Sequence, residues 1–318
     1  MIAVCIEASH KRGMGHIFRA LNFTKYLAEK KEPFVILINE DPASLKILSE
    51  RNLPYEVIHF QDTESNWEAE LIKKYRVDIW LNDKFESSAA LCRHVKQQGI
   101  LLAAIDDAGE GAGFVDLHFA GMLFGKKESE IPGKHVFCGF EYNILNPEIE
   151  KYQRNRSEAK NVIVCLGGSD TYGATVLAVN ILKNYGYAAD IVVGPNFRHE
   201  KELADAIDSR YRVFHTVPSL VEKFSHYDIA ITGGGVTCIE ANAAGLPCII
   251  IASEIHEITT GKYMERLGGA VFAGYYKELR EEAFRLENLD ISRMSERGKK
   301  AVSLKGSENI YRKLREYQ

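Results

Sequence analysis

The sequence predicts an α/β chain of two Rossmann-like halves, each a parallel sheet covered by helices, with a cleft between them. Three observations predict it. Short runs rich in Val and Ile, apolar on both faces, alternate with helix-like segments along almost the whole length, the signature of a buried parallel sheet. The alternation lapses once, over 140–161, and then restarts. Glycine clusters follow strands and precede helices, where ligands of open α/β sheets bind.

In the first half, strands are expected at 2–7, 34–38, 55–59, 77–81 and 100–105, with shorter ones near 116–120 and 136–138. Helical patterns lie between them at about 15–31, 42–52, 64–76 and 85–98. The stretch FEYNILNPEIEKYQRNRSEAKN is polar, holds Pro147 and offers no buried strand, so the domain boundary is placed there. In the second half, strands are expected at 162–166, 190–193, 211–214, 228–232, 248–252 and 270–272. Helices follow near 173–185, 199–209, 236–244 and 257–267, with a terminal helix at about 307–317. The domains are then 1–145 and 160–318, with the terminal helix free to cross back to the first.

The 318 residues carry a net charge of -4, so no global field favours nucleic acid or an anionic membrane. Apolar runs such as ILLAAI and PCIIIA are strand-sized, well short of the roughly 18 residues of a membrane span. The start, MIAVCIEASHKR, lacks the basic and long apolar regions of a signal peptide, so a cytoplasmic protein without stable membrane insertion is expected. Oligomeric state is not readable, a monomer being slightly favoured. Of the six cysteines, Cys5, Cys138, Cys165, Cys238 and Cys248 sit in apolar runs and Cys92 in a helical pattern. All six are read as core packing, without disulfide or zinc spacing.

Three motifs carry chemistry. GMGHIFR, with Gly13, Gly15 and His16, falls one glycine short of a dinucleotide fingerprint, since Phe18 takes the last place. Its glycines let a backbone come close to a ligand. A histidine at a helix start is disfavoured as a cation by the helix dipole, which suits a proton acceptor. It equally fits a helix-terminal histidine with no role. LGGSDTYGAT places Gly167, Gly168 and Ser169 directly after a strand, with Ser169 or Asp170 also able to serve as an ordinary N-cap. ITGGGVTCIEANAAGLP is the most informative. Gly233, Gly234 and Gly235 are entropically costly after a buried strand and suit main-chain amides cradling a phosphate. Glu240, the one charge in an apolar helix start, is placed to hold a ribose diol. A P-loop, HExxH and GxSxG are all absent.

Together these motifs resemble the GT-B nucleotide-sugar enzymes. GMGHIFRALNFTKYLAEK is similar to the GxGHxxR opening of the UDP-sugar hydrolases of pseudaminic acid synthesis and of the related spore-coat polysaccharide proteins. VCLGGSDTYGATVLAVNIL resembles their GGxDxxxxT segment, and GGGVTCIEANAAGLPCIII their glycine–threonine–glutamate segment. IDDAGEGAGFVDLHF and YNILNPEI are also similar to family stretches. The resemblance covers most of residues 1–273. It implies a UDP-linked deoxyamino sugar as substrate, His16 as the base that activates water, and Arg19, Asp83 and Asp107 on the sugar side. It implies that Gly233–Gly235 with Thr237 hold the diphosphate and Glu240 the ribose. The reading includes no cofactor and no metal, and no nucleic-acid partner. Two departures bear on the sugar. His256 and Glu257, which the resemblance places with Gly167, Gly168 and Ser169 on the nucleotide side, stand where the family has Asn-Gln in a segment that faces the ligand, and LNDKFESS lacks the Asp-His-Tyr of the pseudaminic enzymes. A glycosyltransferase, with an acceptor hydroxyl in place of water, is the alternative. A sugar-nucleotide-binding protein without turnover is the third reading, and the presence of both His16 and Glu240 speaks against it.

Overall fold

The structure is a computed structural model describing residues 1–8, 15–122, 127–168, 170–194, 196–215, 217 and 219–318. The chain forms two compact units, Met1–Leu145 with Lys305–Gln318, and Asn146–Leu304.

The first unit holds strands β1 (Ile2–Ile6), β2 (Phe34–Ile38), β3 (Tyr55–Val57), β4 (Ile79–Asp83), β5 (Leu101–Ile105), β6 (Leu117–Ala120) and β7 (His135–Cys138). They pair in the order β3-β2-β1-β4-β5-β6-β7, every pair parallel. Because side chains alternate along a strand, β1 divides its residues between two cores. Ile2, Val4 and Ile6 join one with Ile17, Phe23 and Leu27. Ala3 and Cys5 join the other with Trp80, Leu91 and Val95. Burial on both faces is why these runs read as continuously apolar. The helices are α1 (Gly15–Glu29), α2 (Pro42–Glu50), α3 (Trp67–Tyr75) and α4 (Ala89–Gln97). Asp41 caps α2 by accepting from Ser44 N at 3.0 Å, and Ser88 caps α4 by accepting from Leu91 N at 3.3 Å. The fourth strand lies two residues later than its apolar run suggests, which makes Asp83 its last residue.

The second unit repeats the plan. After α5 (Ile149–Tyr152) come β8 (Val162–Cys165), α6 (Ala174–Asn184), β9 (Ala189–Val193), α7 (Glu200–Ala206), β10 (Tyr211–His215) and α8 (Leu220–Phe224). Then follow β11 (Ile229–Gly233), α9 (Val236–Ala243), β12 (Cys248–Ala252), α10 (Ile255–Leu267), β13 (Ala270–Tyr275), β14 (Glu278–Leu279) and α11 (Ile291–Ala301). The sheet order is β10-β9-β8-β11-β12-β13-β14, parallel except for β14. The pattern reading missed α11, because ISRMSERGKKA spends five of its eleven positions on charge. Asp290 caps it, accepting from Arg293 N at 3.0 Å, and Ile291 and Met294 are buried. The terminal helix α12 (Gly306–Glu316) packs on the first unit, placing Ile310 and Leu314 in its core. Its Tyr311 hydroxyl donates to Glu32 at 3.0 Å. Cys138 departs from the core reading: it is exposed, whereas the other five cysteines are buried and all six are free. Among the described residues no helix is long and apolar enough to cross a membrane.

The polar stretch after the first unit is anchored by one buried cation. Arg156 is fully enclosed and donates to the carbonyls of Arg154 at 2.7 Å, Phe224 at 2.9 Å, Tyr227 at 3.2 Å and Ala244. Burial, with Arg154 nearby, pushes its guanidinium down to about 10. Arg156→Met removes four charge-assisted bonds: Ala244 O and Tyr227 O keep Arg154 as a donor and Phe224 O keeps Tyr227 N, but Arg154 O loses its donor, at about 1–3 kcal/mol for a buried polar group left unpaired. The expected loss is about 3 kcal/mol in denaturant unfolding, and a change under about 1 kcal/mol would contradict the anchoring role.

Candidate functional site

The strand order creates a reversal in each unit. In the first, chain progression runs outward from β1 through β2 to β3, then resumes on the other side at β4. Such switch points leave a crevice beyond the carboxyl ends of the two central strands. There Ile6 pairs with Asp83, and α1 follows β1. The buried stripe of α1 is His16, Ile17, Ala20, Phe23, Thr24 and Leu27, a helical spacing. His16 is thus the first residue of a core-facing stripe, with Arg19 one turn further on.

His16 Nδ1 lies 2.7 Å from Asp83 Oδ1. Arg19 grips Asp83 with two donors, Nε to Oδ2 at 2.9 Å and Nη2 to Oδ1. Its Nη1 donates to Asp106 Oδ2 at 2.8 Å. His16 is only 8% exposed, and the ring of Phe85 meets it edge-on with centroids 4.5 Å apart. Burial by itself would raise the Asp83 carboxyl, but the Arg19 guanidinium and the His16 ring outweigh it and hold it at about 2. Burial works against the Arg19 cation, and the carboxylates of Asp83 and Asp106 overcome it and raise its pKa. An ionised Asp83 only accepts, so the proton between it and His16 belongs to Nδ1. In the neutral ring the lone pair is then on Nε2, and Nε2 is buried without a hydrogen-bond partner among the described residues. A buried polar atom left unpaired is costly, so Nε2 is the ring nitrogen with bonding capacity to spare.

Of the sugar-side residues expected from the sequence, the structure brings His16, Arg19 and Asp83 together. It does not bring Asp107. That carboxylate is fully buried and accepts from Ser87 N at 3.0 Å and Gly109 N at 2.9 Å, bracing a turn. Its neighbour Asp106 joins the cluster instead. The only sequence signal for it was the paired acids of IDDAGEG, which do not say which one faces inward. Phe85 was also missed. Gly15 is exposed, and a Cβ there would meet nothing within 4 Å, so protein packing does not demand its glycine. Gly13 and Ser169 lie outside the described residues.

The second unit reverses at β8 and β11, and its glycine loops follow those two strands. Gly167 has φ +94°, a conformation natural to glycine, and Gly167 and Gly168 are exposed with open space around them. Asp170 caps α6, its Oδ1 accepting from Ala174 N and its Oδ2 from Thr175 N, both at 2.8 Å. Gly234 is required by close approach. A Cβ there would stand 2.7 Å from both Cβ and the carbonyl oxygen of Glu257. Glu257 closes its own helix, its Oε2 accepting from Ser253 N at 2.7 Å and Glu254 N at 3.2 Å. One oxygen of this carboxylate thus serves the first turn of α10, the other lies beside the Gly233–Gly235 turn, and His256 next to it is exposed. Gly233, Gly235 and Thr237 are half-buried on the turn that opens α9. Glu240 on α9 is half-buried and has no ion-pair partner among the described residues. Burial pushes its carboxyl up to about 7, against the pull of the Asn146 amide.

No family model matches the chain. It is 22% identical over 287 residues to an uncharacterized protein, MJ1062, of Methanocaldococcus jannaschii, covering 84% of this chain and 58% of that protein. It thus spans less than two thirds of that relative's length. It is 23% identical over 292 residues to the spore coat polysaccharide biosynthesis protein SpsG of Bacillus subtilis, covering 86% of this chain and 83% of that protein. Among solved structures, MurG of Acinetobacter baumannii is similar with a TM-score of 0.72 at 15% identity, over 99% of both chains. The chain therefore has the two-unit, parallel-sheet α/β fold of the GT-B class, which the sequence predicted.

Proposed function

We propose that the protein is a nucleotide-sugar hydrolase that cleaves the anomeric C–O bond of a UDP-linked deoxyamino sugar, in the synthesis of a surface glycan. The observation that carries this reading is the His16 ring: Nδ1 bonded to an ionised Asp83, Nε2 buried and unpartnered. That tautomer is the one a general base needs. Nε2 takes a proton from water as the water oxygen bonds to the anomeric carbon. The C–O bond breaks, its electron pair leaves with UDP, and the configuration inverts. Asp83 stabilises the imidazolium so formed. The amides of Gly233–Gly235 and the Thr237 hydroxyl meet the diphosphate charge, and Glu240 accepts from the ribose diol. The similarity to SpsG supports placing the reaction in polysaccharide biosynthesis.

The test is incubation with a panel of UDP-, CMP-, CDP- and GDP-sugars, following nucleotide release with and without candidate acceptors. Release without acceptor, abolished in His16→Ala, is expected. Release only in the presence of an acceptor hydroxyl would replace the hydrolase by a transferase. Absence of binding to any nucleotide sugar in a thermal-shift screen would remove the reading altogether.

Glu240 gives a second check. Its carboxyl is raised in the folded state, so the fold favours the protonated form. The stability this contributes is present below about 4.5, the ordinary value, and is lost as pH rises through about 7. Glu240→Gln removes that loss. The variant is expected to melt a few degrees above the parent at pH 8 and close to it at pH 5, while binding UDP about 10-fold more weakly. Unchanged UDP affinity would detach Glu240 from the ribose.

A further inference from the structure

We propose that Asp106 is a positioning residue that keeps His16 in its reactive state by acting through Arg19 and Asp83. The proposal rests on the reading of His16 as general base.

Asp106 follows β5 and has φ +50°, a left-handed backbone uncommon in residues other than glycine and best tolerated by Asn and Asp. Such strain persists where the surroundings over-determine it and concentrates at functional positions. Here three bonds hold it. Its amide donates to Phe119 O at 2.9 Å, its Oδ1 accepts from Met122 N at 2.7 Å, and its Oδ2 accepts from Arg19 Nη1 at 2.8 Å. Only 9% of the residue is exposed. Both oxygens are committed to protein donors, which suits a residue that works through its neighbours.

Charge explains what that work is. Among the described residues, Asp83 at the end of β4 and Arg19 on its own helix lie against His16, and Asp106 beyond β5 lies against Arg19. Together they sum to one negative charge, which stabilises the positive charge the ring gains as it takes a proton. Arg19 Nη2 lies 3.3 Å from His16 Nδ1 and shares Asp83 Oδ1 with it. With Asp106 replaced by asparagine, the frame sums to zero, one of the two donors Arg19 Nη1 and Met122 N loses its acceptor, and the guanidinium competes more strongly with the ring for Asp83. The ring then accepts a proton less readily, and its tautomer is less well defined.

The experiment is Asp106→Asn in the full chain, read two ways. Asparagine keeps the size and tolerates the left-handed backbone, so the change is one of charge. In ¹⁵N spectra, with the His16 signals assigned by their loss in His16→Gln, the titration midpoint of His16 is expected to fall by about half a unit or more. In turnover of a nucleotide sugar, kcat is expected to fall about 10-fold with KM within about twofold. Asp106→Gly, which relieves the backbone strain without restoring charge, supplies the same two readouts if the asparagine variant does not fold. A folded variant whose His16 midpoint and tautomer match the parent overturns the proposal. If the parent turns over no nucleotide sugar, the hydrolase reading falls, and the His16 spectra still decide the role of Asp106.

Discussion

Replacing His16 by alanine is expected to lower turnover of a nucleotide sugar about 10³-fold, within the range for removing a general base, with little change in nucleotide affinity. The split follows from where the residues lie. His16 belongs to the first unit, whereas the candidate nucleotide contacts Gly233–Gly235, Thr237 and Glu240 belong to the second. The ring makes one hydrogen bond to Asp83 and one edge contact with Phe85, so its loss leaves a small cavity and the ion cluster of Arg19, Asp83 and Asp106 in place. Single-turnover kinetics, with UDP binding measured separately, check both halves. Turnover within tenfold of the parent would mean that another group takes the proton. A matching loss of UDP affinity would mean that His16 binds the nucleotide.

Asp83→Asn is expected to be more damaging overall, because Asp83 serves two partners. An amide neither neutralises Arg19 nor fixes which nitrogen of His16 carries the proton. Turnover should fall at least as far as in His16→Ala. Stability should fall by about 3 kcal/mol at neutral pH, as when one partner of a buried pair is removed. The pH dependence gives the sign. The Asp83 carboxyl is held at about 2 in the fold against an ordinary 3.8. The stability it contributes is therefore present above about 4 and is lost as pH falls toward 2. The deficit of the variant should shrink over that window as the parent's own carboxylate protonates. Urea unfolding at several pH values checks it, and a deficit that stays constant down to pH 2 would contradict the ionised assignment.

Much of the fold was legible because its signals are local. Buried strands such as Leu101–Ile105 and Cys248–Ala252 announce themselves as unbroken apolar runs. The glycine clusters stand beside the strands that position them. What escaped was written in charge rather than hydrophobicity. The helix Ile291–Ala301 buries few side chains, and Arg156, placed in a stretch read as linker, is fully enclosed by carbonyls that the sequence does not display. Glu257 was read from the family pattern as a ligand contact, and its carboxylate caps its own helix. The same residue spacing serves a helix start and a ligand loop, so spacing alone does not separate them.

The sequence by itself determined that this chain folds into two parallel-sheet halves with glycine turns at strand ends, and that a histidine opens the first helix. Hydrophobic periodicity and glycine placement act over a few residues, which is why they read directly. Only the tertiary structure decided which groups surround that histidine. Asp83 lies 67 positions from His16, and Asp106 lies 87 positions from Arg19. They meet because β1 pairs with β4, with β5 next in line. Strand order is set by packing across the whole sheet, and no local pattern records it. The choice of Asp106 over Asp107 depends on a single left-handed residue, which turns one carboxylate toward Arg19 and leaves its neighbour to brace the turn.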